Sequence, residues 1–123
     1  MPIQYPVGIK DEYYAVRTDV GMFDVSHMGE FEITGNGAES FLQNITINDL
    51  TQLYPGKAQY SAMCKENGGI IDDLILYMFD NKYLMVVNGA NLNKNWHWLN
   101  ENLISDVSIK NVSDKTSLIA VQG

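Results

Sequence analysis

The chain has 123 residues, of which 46% are hydrophobic, and this suffices for the core of one globular domain or of part of a larger protein. Its 15 acidic and 8 basic residues give a net charge of −7, which excludes nucleic acid and anionic membranes as partners because no basic cluster offsets that field. The single cysteine, Cys64, excludes an internal disulfide and a cysteine-based metal motif. No apolar run reaches the length of a membrane-spanning helix.

The first part of the chain, residues 1–29, is mixed in pattern and is interpreted as an N-terminal segment. Pro2 and Pro6 favour an extended start. Residues 11–20 are typical of a short helix that stops at the following glycine. We divide the chain into this segment and a regular unit that comprises residues 30–123.

From residue 30 onward the hydrophobic pattern becomes regular. Residues 30–33 alternate as a strand does, and the apolar spacing within residues 38–45 predicts a helix after a glycine turn. Pro55 and Gly56 then predict a turn, since proline presets the first central dihedral and glycine accepts a positive one. A strand over residues 58–64 should follow.

The Asn67-Gly68 pair between two apolar runs predicts a β-hairpin that pairs residues 70–79 with residues 58–64. We favour this architectural role for the glycines over a phosphate-binding loop, because no helix N-terminus follows them. Residues 83–87 predict a further strand, nearly continuous in its apolar side chains.

Asn91 can cap the next predicted helix. The apolar residues of that helix share one face at steps of four, three and four: Leu92, Trp96, Leu99 and Leu103. Residues 107–112 and 117–121 predict two more strands. The order strand, helix, three strands, helix, two strands resembles the α+β class, as a ferredoxin-like split βαβ sheet with an added hairpin strand and helices on one face.

Two adjacent carboxylates, Asp72 and Asp73, lie within the strand predicted over residues 70–79. Alternation puts Asp73 on the face of Ile71 and Tyr77, and Asp72 on the opposite face with Leu74. Neither face is otherwise polar, so at least one carboxylate should leave bulk water, which is costly unless it is paired, hydrogen-bonded or protonated. From spacing alone we favour two carboxylates that cap turns or reach solvent.

Other chemically suggestive side chains have structural interpretations. His27, His97 and Cys64 lack metal-ligand spacing and lie on separate predicted elements, so we predict no metal site. From the pattern alone, Tyr60 and Tyr77 would be assigned to the core.

Four motifs recur here in a known order and spacing: MFDVSHM at 22–28, QY at 59–60, GGIIDDL at 68–74 and VVN at 86–88. Together they resemble the T-protein of the glycine cleavage system, a tetrahydrofolate-dependent aminomethyltransferase. Matches at residues 2–5, 15–17 and 119–123 extend the resemblance over essentially the whole chain. The family's chain is far longer, and this one corresponds to its N-terminal part, before the segments that supply later Tyr, Glu and Arg contacts to folate.

The resemblance implies transfer of an aminomethylene carbon from the lipoyl arm of the H-protein to tetrahydrofolate, with release of ammonia. The difficult species are cationic, so a fixed carboxylate in a low-dielectric cleft would stabilise them more than water does. The family's essential carboxylate matches Asp73, which is then expected to hold folate on its reacting side and to organise proton movement.

Further site residues follow from the same resemblance. Tyr60 and Tyr77 match aromatic residues that contact folate, and Met28 and Asn88 match further pocket positions. Asp72 is expected to be structural and to accept backbone N–H bonds near the hairpin. Where this chain has Gly89 the family usually has alanine, and we expect the glycine to loosen the loop after Asn88.

The partners that the resemblance implies are lipoylated H-protein and tetrahydrofolate, with no metal. The compartment would be the bacterial cytoplasm, or the mitochondrial matrix in a eukaryote, although no transit peptide is seen. Part of a larger fold, this chain is expected to be inactive alone and to expose apolar surface that favours self-association.

Two alternatives stay open at this stage. One is the folate module of a sarcosine or dimethylglycine dehydrogenase, which would need a flavin domain upstream. The other is a non-catalytic relative that binds folate or supports iron–sulfur assembly, although such a protein has no chemical need for Asp73.

Overall fold

The computed structural model describes residues 5–123, so the extended start predicted at Pro2 lies outside the described residues. In this part the helices are α1 (Ile9–Thr18), α2 (Ala38–Ile45) and α3 (Leu92–Glu101). The strands are β1 (Gly21–Asp24), β2 (Gly29–Thr34), β3 (Ala58–Cys64), β4 (Ile70–Phe79), β5 (Lys82–Val87), β6 (Ser108–Asn111) and β7 (Ile119–Gln122). Within residues 5–123, no helix combines the length and apolar character that crossing a membrane requires.

Five strands form the main sheet in the order β3-β4-β5-β2-β6, and every neighbouring pair is antiparallel. The run β6-β2-β5-β4 has the strand order of a split βαβ unit, and β3 is the added strand at its edge. The predicted α+β class is therefore confirmed, and so is the added hairpin strand.

The hydrophobic core lies between one face of this sheet and the helices α2 and α3. Strand alternation directs Phe31, Leu76 and Met85 to that face, where each is fully buried. Phe41 of α2 and Leu99 of α3 pack against them from the helical layer. Burial of one such side chain contributes about 1.5–3 kcal/mol. Both helices lie on this one face, as predicted. The opposite face is exposed at Asp73 and Tyr60 but buried at Glu30 and Val86.

The hairpin between β3 and β4 forms where the Asn-Gly pair predicts it. Gly68 takes a positive φ of 81°, and the Lys65 N–H donates to the Gly69 carbonyl at 2.8 Å. Gly68 in turn donates its N–H to the Lys65 carbonyl at 2.9 Å. The glycines therefore have the architectural role that we favoured.

A β-bulge next to this hairpin alters the start of β4. Asp72 pairs with Met63 and Ile70 pairs with Cys64, so Ile71 is left as an extra residue. Ile71 turns into the core with 6% of its surface exposed, whereas Ile70 is 72% exposed. The prediction that Ile71 shares the face of Asp73 is therefore wrong, because an extra residue reverses strand alternation at that point.

The two remaining strands, β1 and β7, form a separate antiparallel pair in which Met22 lies opposite Val121. Both of these side chains are largely exposed. The pairing connects the N-terminal segment with the end of the regular unit. The division of the chain after residue 29 stays a prediction.

Helix α3 differs from its predicted form in two ways. It ends at Glu101, so Leu103 falls outside the apolar stripe and is exposed. Asn91 occupies the N-cap position, but its side chain makes no capping bond. Asn95, in contrast, is fully buried in the middle of the face that carries Leu99.

Glu30 is a second polar residue that burial sets apart. It lies on β2 with its backbone bonded to Val112 and Ser113, while neither oxygen of its side chain has a hydrogen-bond partner. Burial raises the pKa of the Glu30 carboxyl above its ordinary value of 4.5.

We expect Glu30→Gln to change the pH dependence of folding stability. The pKa of Glu30 is higher in the folded chain than in the unfolded chain, so the protonated carboxyl favours folding below pH 4.5. This contribution to stability is lost as the pH rises through the pKa of the folded chain. Between pH 4 and pH 8 the variant should therefore gain stability relative to the parent chain, because glutamine does not ionise. Urea denaturation at several pH values measures this gain, and a difference that does not vary with pH would contradict it.

Candidate functional site

The two adjacent carboxylates of β4 have opposite surroundings. Asp72 is 6% exposed and points to the buried side of the sheet, whereas Asp73 is exposed on the open face. The expectation that at least one carboxylate leaves bulk water is confirmed, and that residue is Asp72. The low-dielectric cleft expected around Asp73 is not formed by residues 5–123, because Asp73 and its neighbour Tyr60 are both exposed.

Asp72 is held by the side-chain amides of three asparagines, which we call the asparagine cluster: Asn88, Asn91 and Asn95. Its Oδ2 accepts a hydrogen bond from Asn95 at 2.6 Å. Its Oδ1 accepts from Asn91 at 2.8 Å and from Asn88 at 3.0 Å. The prediction that Asp72 accepts backbone N–H bonds is wrong, since its three hydrogen-bond donors are side-chain amides.

Asp72 is ionised at neutral pH although it is buried. Burial raises the pKa of this carboxyl, but hydrogen bonds from Asn95, Asn88 and Asn91 lower it, as does the charge of Lys94, and the result lies below the ordinary value of 3.8. Lys94 is placed nearby because its Nζ donates to the Ile71 carbonyl at 2.6 Å.

Asn88 contacts both carboxylates. Besides its bond to Asp72, the Asn88 amide nitrogen donates to Oδ1 of Asp73 at 2.8 Å. Asn88 directly follows β5, whose last residue, Val87, lies opposite Leu74. At this strand end an amide can reach around the sheet to the side chains on both of its faces.

Tyr60 completes the surroundings of Asp73. Its hydroxyl donates to Oδ2 of Asp73 at 2.8 Å, across the pair formed by β3 and β4. This hydrogen bond and the negative charge of Asp73 raise the pKa of Tyr60 above 10.0. Tyr60 is 67% exposed, so the interpretation of it as a core aromatic from the pattern alone is wrong. Asp73 is therefore fixed through both oxygens while one side of it stays open.

The other two predicted site residues lie nearby without a described bond to Asp73. Tyr77 lies opposite Ala58, on the same face of the sheet and half-buried. Met28 directly precedes β2, whose first residue pairs with the last residue of β5, so Met28 and Asn88 lie at neighbouring strand ends. The structure thus brings Tyr60, Asn88 and Asp73 together and places Tyr77 and Met28 around them.

The loop after Asn88 is close-packed rather than loose. A Cβ at Gly89 would collide with the carbonyl oxygen of His27. The expectation that Gly89 loosens this loop is wrong, because the absent side chain is what lets the two segments approach.

Two members of the asparagine cluster, Asn91 and Asn95, were not identified from the sequence. A usable signal was present, since Asn88, Asn91 and Asn95 follow at steps of three and four, the spacing of one helical face. A buried carboxylate only accepts hydrogen bonds, and three side-chain amides on one face can supply the donors that it needs.

Other features of the described residues do not add a second centre. Among residues 5–123, no three His, Cys, Asp or Glu side chains are arranged to hold a metal ion. An apolar groove of about 660 Å³ lies between α1 and β1, lined in part by Ile9, Tyr13, Met22 and Phe23, and Asp73 does not border it.

The asparagine cluster should contribute measurably to stability. Asn95→Ala leaves Oδ2 of the buried Asp72 without its partner, and we expect a loss of about 1.5–3 kcal/mol, the usual worth of a hydrogen bond to a charged group. Asn100→Ala, on the exposed side of the same helix, is the matched control and should cost less than about 0.5 kcal/mol.

The loss of stability in Asn95→Ala should depend on pH, and the lowered pKa of Asp72 predicts that it is larger at pH 7 than in strong acid. A lowered folded pKa gives stability that is complete above pH 3.8 and is lost as pH falls through the folded value. Chemical denaturation at pH 7 and in strong acid measures the difference between Asn95→Ala and the parent chain. An equal difference at both pH values would contradict the proposed bond to an ionised carboxylate.

Comparison with known families gives one match over the full chain. The family model described as the GCVT N-terminal domain matches residues 1–123.

The chain is also similar to individual proteins along its whole length. It is 50% identical to an aminomethyltransferase of Bacillus subtilis (strain 168) and 53% identical to one of Staphylococcus carnosus (strain TM300), and covers 34% of each. A crystal structure of glycine cleavage system aminomethyltransferase T from Bartonella henselae matches with a TM-score of 0.90 at 30% identity, over 100% of this chain and 34% of that one. The chain spans about a third of the length of the relatives that it matches.

Proposed function

Since the chain belongs to the GCVT N-terminal domain family, we propose that it is the part of a glycine cleavage aminomethyltransferase that carries the reacting carboxylate, Asp73. The observation that carries this proposal is the fixation of that carboxylate. Tyr60 and Asn88 each bind one oxygen of Asp73, on a sheet face that no described helix covers. The names of the similar proteins support the transferase activity.

The reaction is transfer of the aminomethylene carbon from the lipoyl arm of H-protein to tetrahydrofolate. The bonds of that carbon to sulfur and to the amino nitrogen break, and two bonds to folate nitrogens form. The two folate N–H protons leave with the products, one on the lipoyl thiol and one on ammonia. Positive charge develops on the carbon during this exchange. A carboxylate held in advance stabilises such charge without reorganising, which is the main source of electrostatic catalysis.

The neighbours of Asp73 have complementary roles in this proposal. Tyr60 and Asn88 orient the carboxylate of Asp73. Each of its two oxygens keeps a free lone pair that can accept a hydrogen bond from folate. Tyr77 contributes an aromatic wall further along β4, and Met28 contributes a side chain at the strand end next to Asn88. Folate is bound between this face and the remaining two thirds of the family's chain, which supplies the dry surroundings that the exposed face lacks.

If the source of the chain is bacterial, we place this activity in the cytoplasm. The relatives named above are themselves from bacteria. It would be the mitochondrial matrix in a eukaryote. Both alternatives to the glycine cleavage function receive less support. The relatives, which are about 50% identical to this chain, are named aminomethyltransferase and not dehydrogenase. The experiment in the next paragraph distinguishes an enzyme from a relative that only binds folate.

Replacement of the reacting carboxylate tests the proposal. In the full-length protein, Asp73→Asn should lower ammonia release from aminomethylated H-protein by about 100-fold or more, the usual effect of losing one preorganised electrostatic group. Asp80→Asn, an exposed aspartate in the turn after β4, is the control and should keep the parent rate. A near-parental rate for Asp73→Asn would exclude the catalytic role.

The chain alone should bind folate weakly. A ligand held between two parts of a protein loses most of its burial when one part is absent, so we expect tetrahydrofolate to bind this chain at least 100-fold more weakly than the full-length protein. Calorimetric titration of both proteins measures the ratio, and equal affinities would show that the pocket is not divided in this way.

Exposed apolar side chains also support self-association of the isolated chain. Met22 and Val121 lie side by side on the β1–β7 pair, and two strands alone bury little surface. Sedimentation velocity of the isolated chain over a range of concentrations detects this association, and a monomer throughout would speak against it.

A further inference from the structure

We propose that Asp72 is a positioning residue for the reaction, and that it orients the Asp73 carboxylate through the amide of Asn88. The inference rests on the proposed function and deepens it. Its basis is that one amide nitrogen binds both carboxylates, Asp72 at 3.0 Å and Asp73 at 2.8 Å.

The two carboxylates cannot influence each other by direct contact. Asp72 faces the core side of β4 and Asp73 faces the open side, so the strand itself separates them. Asn88, at the end of the neighbouring strand β5, reaches both. Its amide group has two hydrogens, and each carboxylate takes one of the two close bonds, so the amide orientation is set from both sides.

The Asp72 end of this bridge is the rigid one. Asp72 is 6% exposed and is held independently by Asn91 at 2.8 Å and by the fully buried Asn95 at 2.6 Å. Asn95 lies within α3, which packs on the core through Leu99. Asp72 is therefore anchored to the helical layer even without its bond to Asn88.

The Asp73 end is the one that needs support. Asp73 is exposed, and its other partner, Tyr60, is exposed as well and lies on the edge strand β3. An exposed carboxylate on a strand has rotameric freedom that a bond from an exposed hydroxyl restricts only in part. The bond from Asn88 connects Asp73 to the anchored side of the sheet, so the buried charge of Asp72 has a use beyond stability.

This role predicts a specific kinetic pattern. Misplacement of a reacting group by about 1 Å can cost as much as 100-fold in rate, whereas folate binding by other side chains would persist. In the full-length protein, Asp72→Glu keeps the negative charge but moves its oxygens by one methylene group. We expect kcat for ammonia release to fall at least tenfold, with KM for tetrahydrofolate within about threefold of the parent value.

A double-mutant cycle separates positioning from a merely structural role. If Asp72 acts through Asp73, then adding Asp72→Glu to Asp73→Asn should not lower the residual kcat further. A purely structural residue would reduce activity in both backgrounds, in step with lost stability. Ile33→Val, a small core truncation, is the control for destabilisation and should leave kcat per folded molecule unchanged.

Each outcome decides the proposal. A folded Asp72→Glu variant with parental kcat, or one whose loss persists in the Asp73→Asn background, overturns the inference. If Asp72→Glu does not fold, Asn91→Ala provides the test, because it removes one of the bonds that anchor Asp72 and leaves both described bonds to Asp73 in place. Asn91→Ala must then lower kcat and add nothing to Asp73→Asn, and any other result overturns the inference.

The proposed function fails by a different result, which is an active Asp73→Asn enzyme. An inactive Asp73→Asn enzyme together with an unimpaired Asp72→Glu enzyme removes only the positioning role.

Discussion

A buried negative charge in this fold must be compensated locally, and the asparagine cluster provides that compensation for Asp72. An unpaired carboxylate in a protein interior costs several kcal/mol or changes its ionisation. Three amides and the nearby charge of Lys94 keep the pKa of Asp72 below its ordinary value. The bonds also connect β4, the end of β5 and the first turns of α3. One carboxylate therefore connects the strand that carries Asp73, the strand end that carries Asn88, and helix α3.

The β-bulge at Ile71 changes the face of the residues that precede Asp72, whereas Asp72 and Asp73 keep the faces that plain strand alternation gives them. Without the extra residue, the apolar side chain at 71 would share the open face with Asp73. With it, Ile71 joins the core and Asp73 is the first residue of β4 that faces outward next to Tyr60. Bulges are frequent next to functional sites because they redirect side chains in this way. Here the bulge lets Ile71 join the core directly before the two carboxylates.

Local patterns predicted local features of the fold, and features that depend on tertiary packing were missed. The hairpin follows from Asn67-Gly68 because turn chemistry acts within a few residues. The bulge leaves no such mark in an apolar run, so the face of Ile71 was predicted wrongly. Asn91 was predicted only as a helix cap and Asn95 was given no role, since only the three-dimensional position of Asp72 shows what their amides bind. The resemblance placed Asp73 and Tyr60 in one site, and the bond between their side chains agrees with that placement.

The central claim is that Asp73 is a carboxylate held in advance for a reaction on folate. A crystal structure of the full-length protein with bound tetrahydrofolate tests this most directly. The account predicts that an oxygen of Asp73 lies within hydrogen-bonding distance of a reacting folate nitrogen, while its bonds to Tyr60 and Asn88 persist. A bound folate whose reacting nitrogens lie far from Asp73, or an Asp73 that turns away from both partners, would contradict the account.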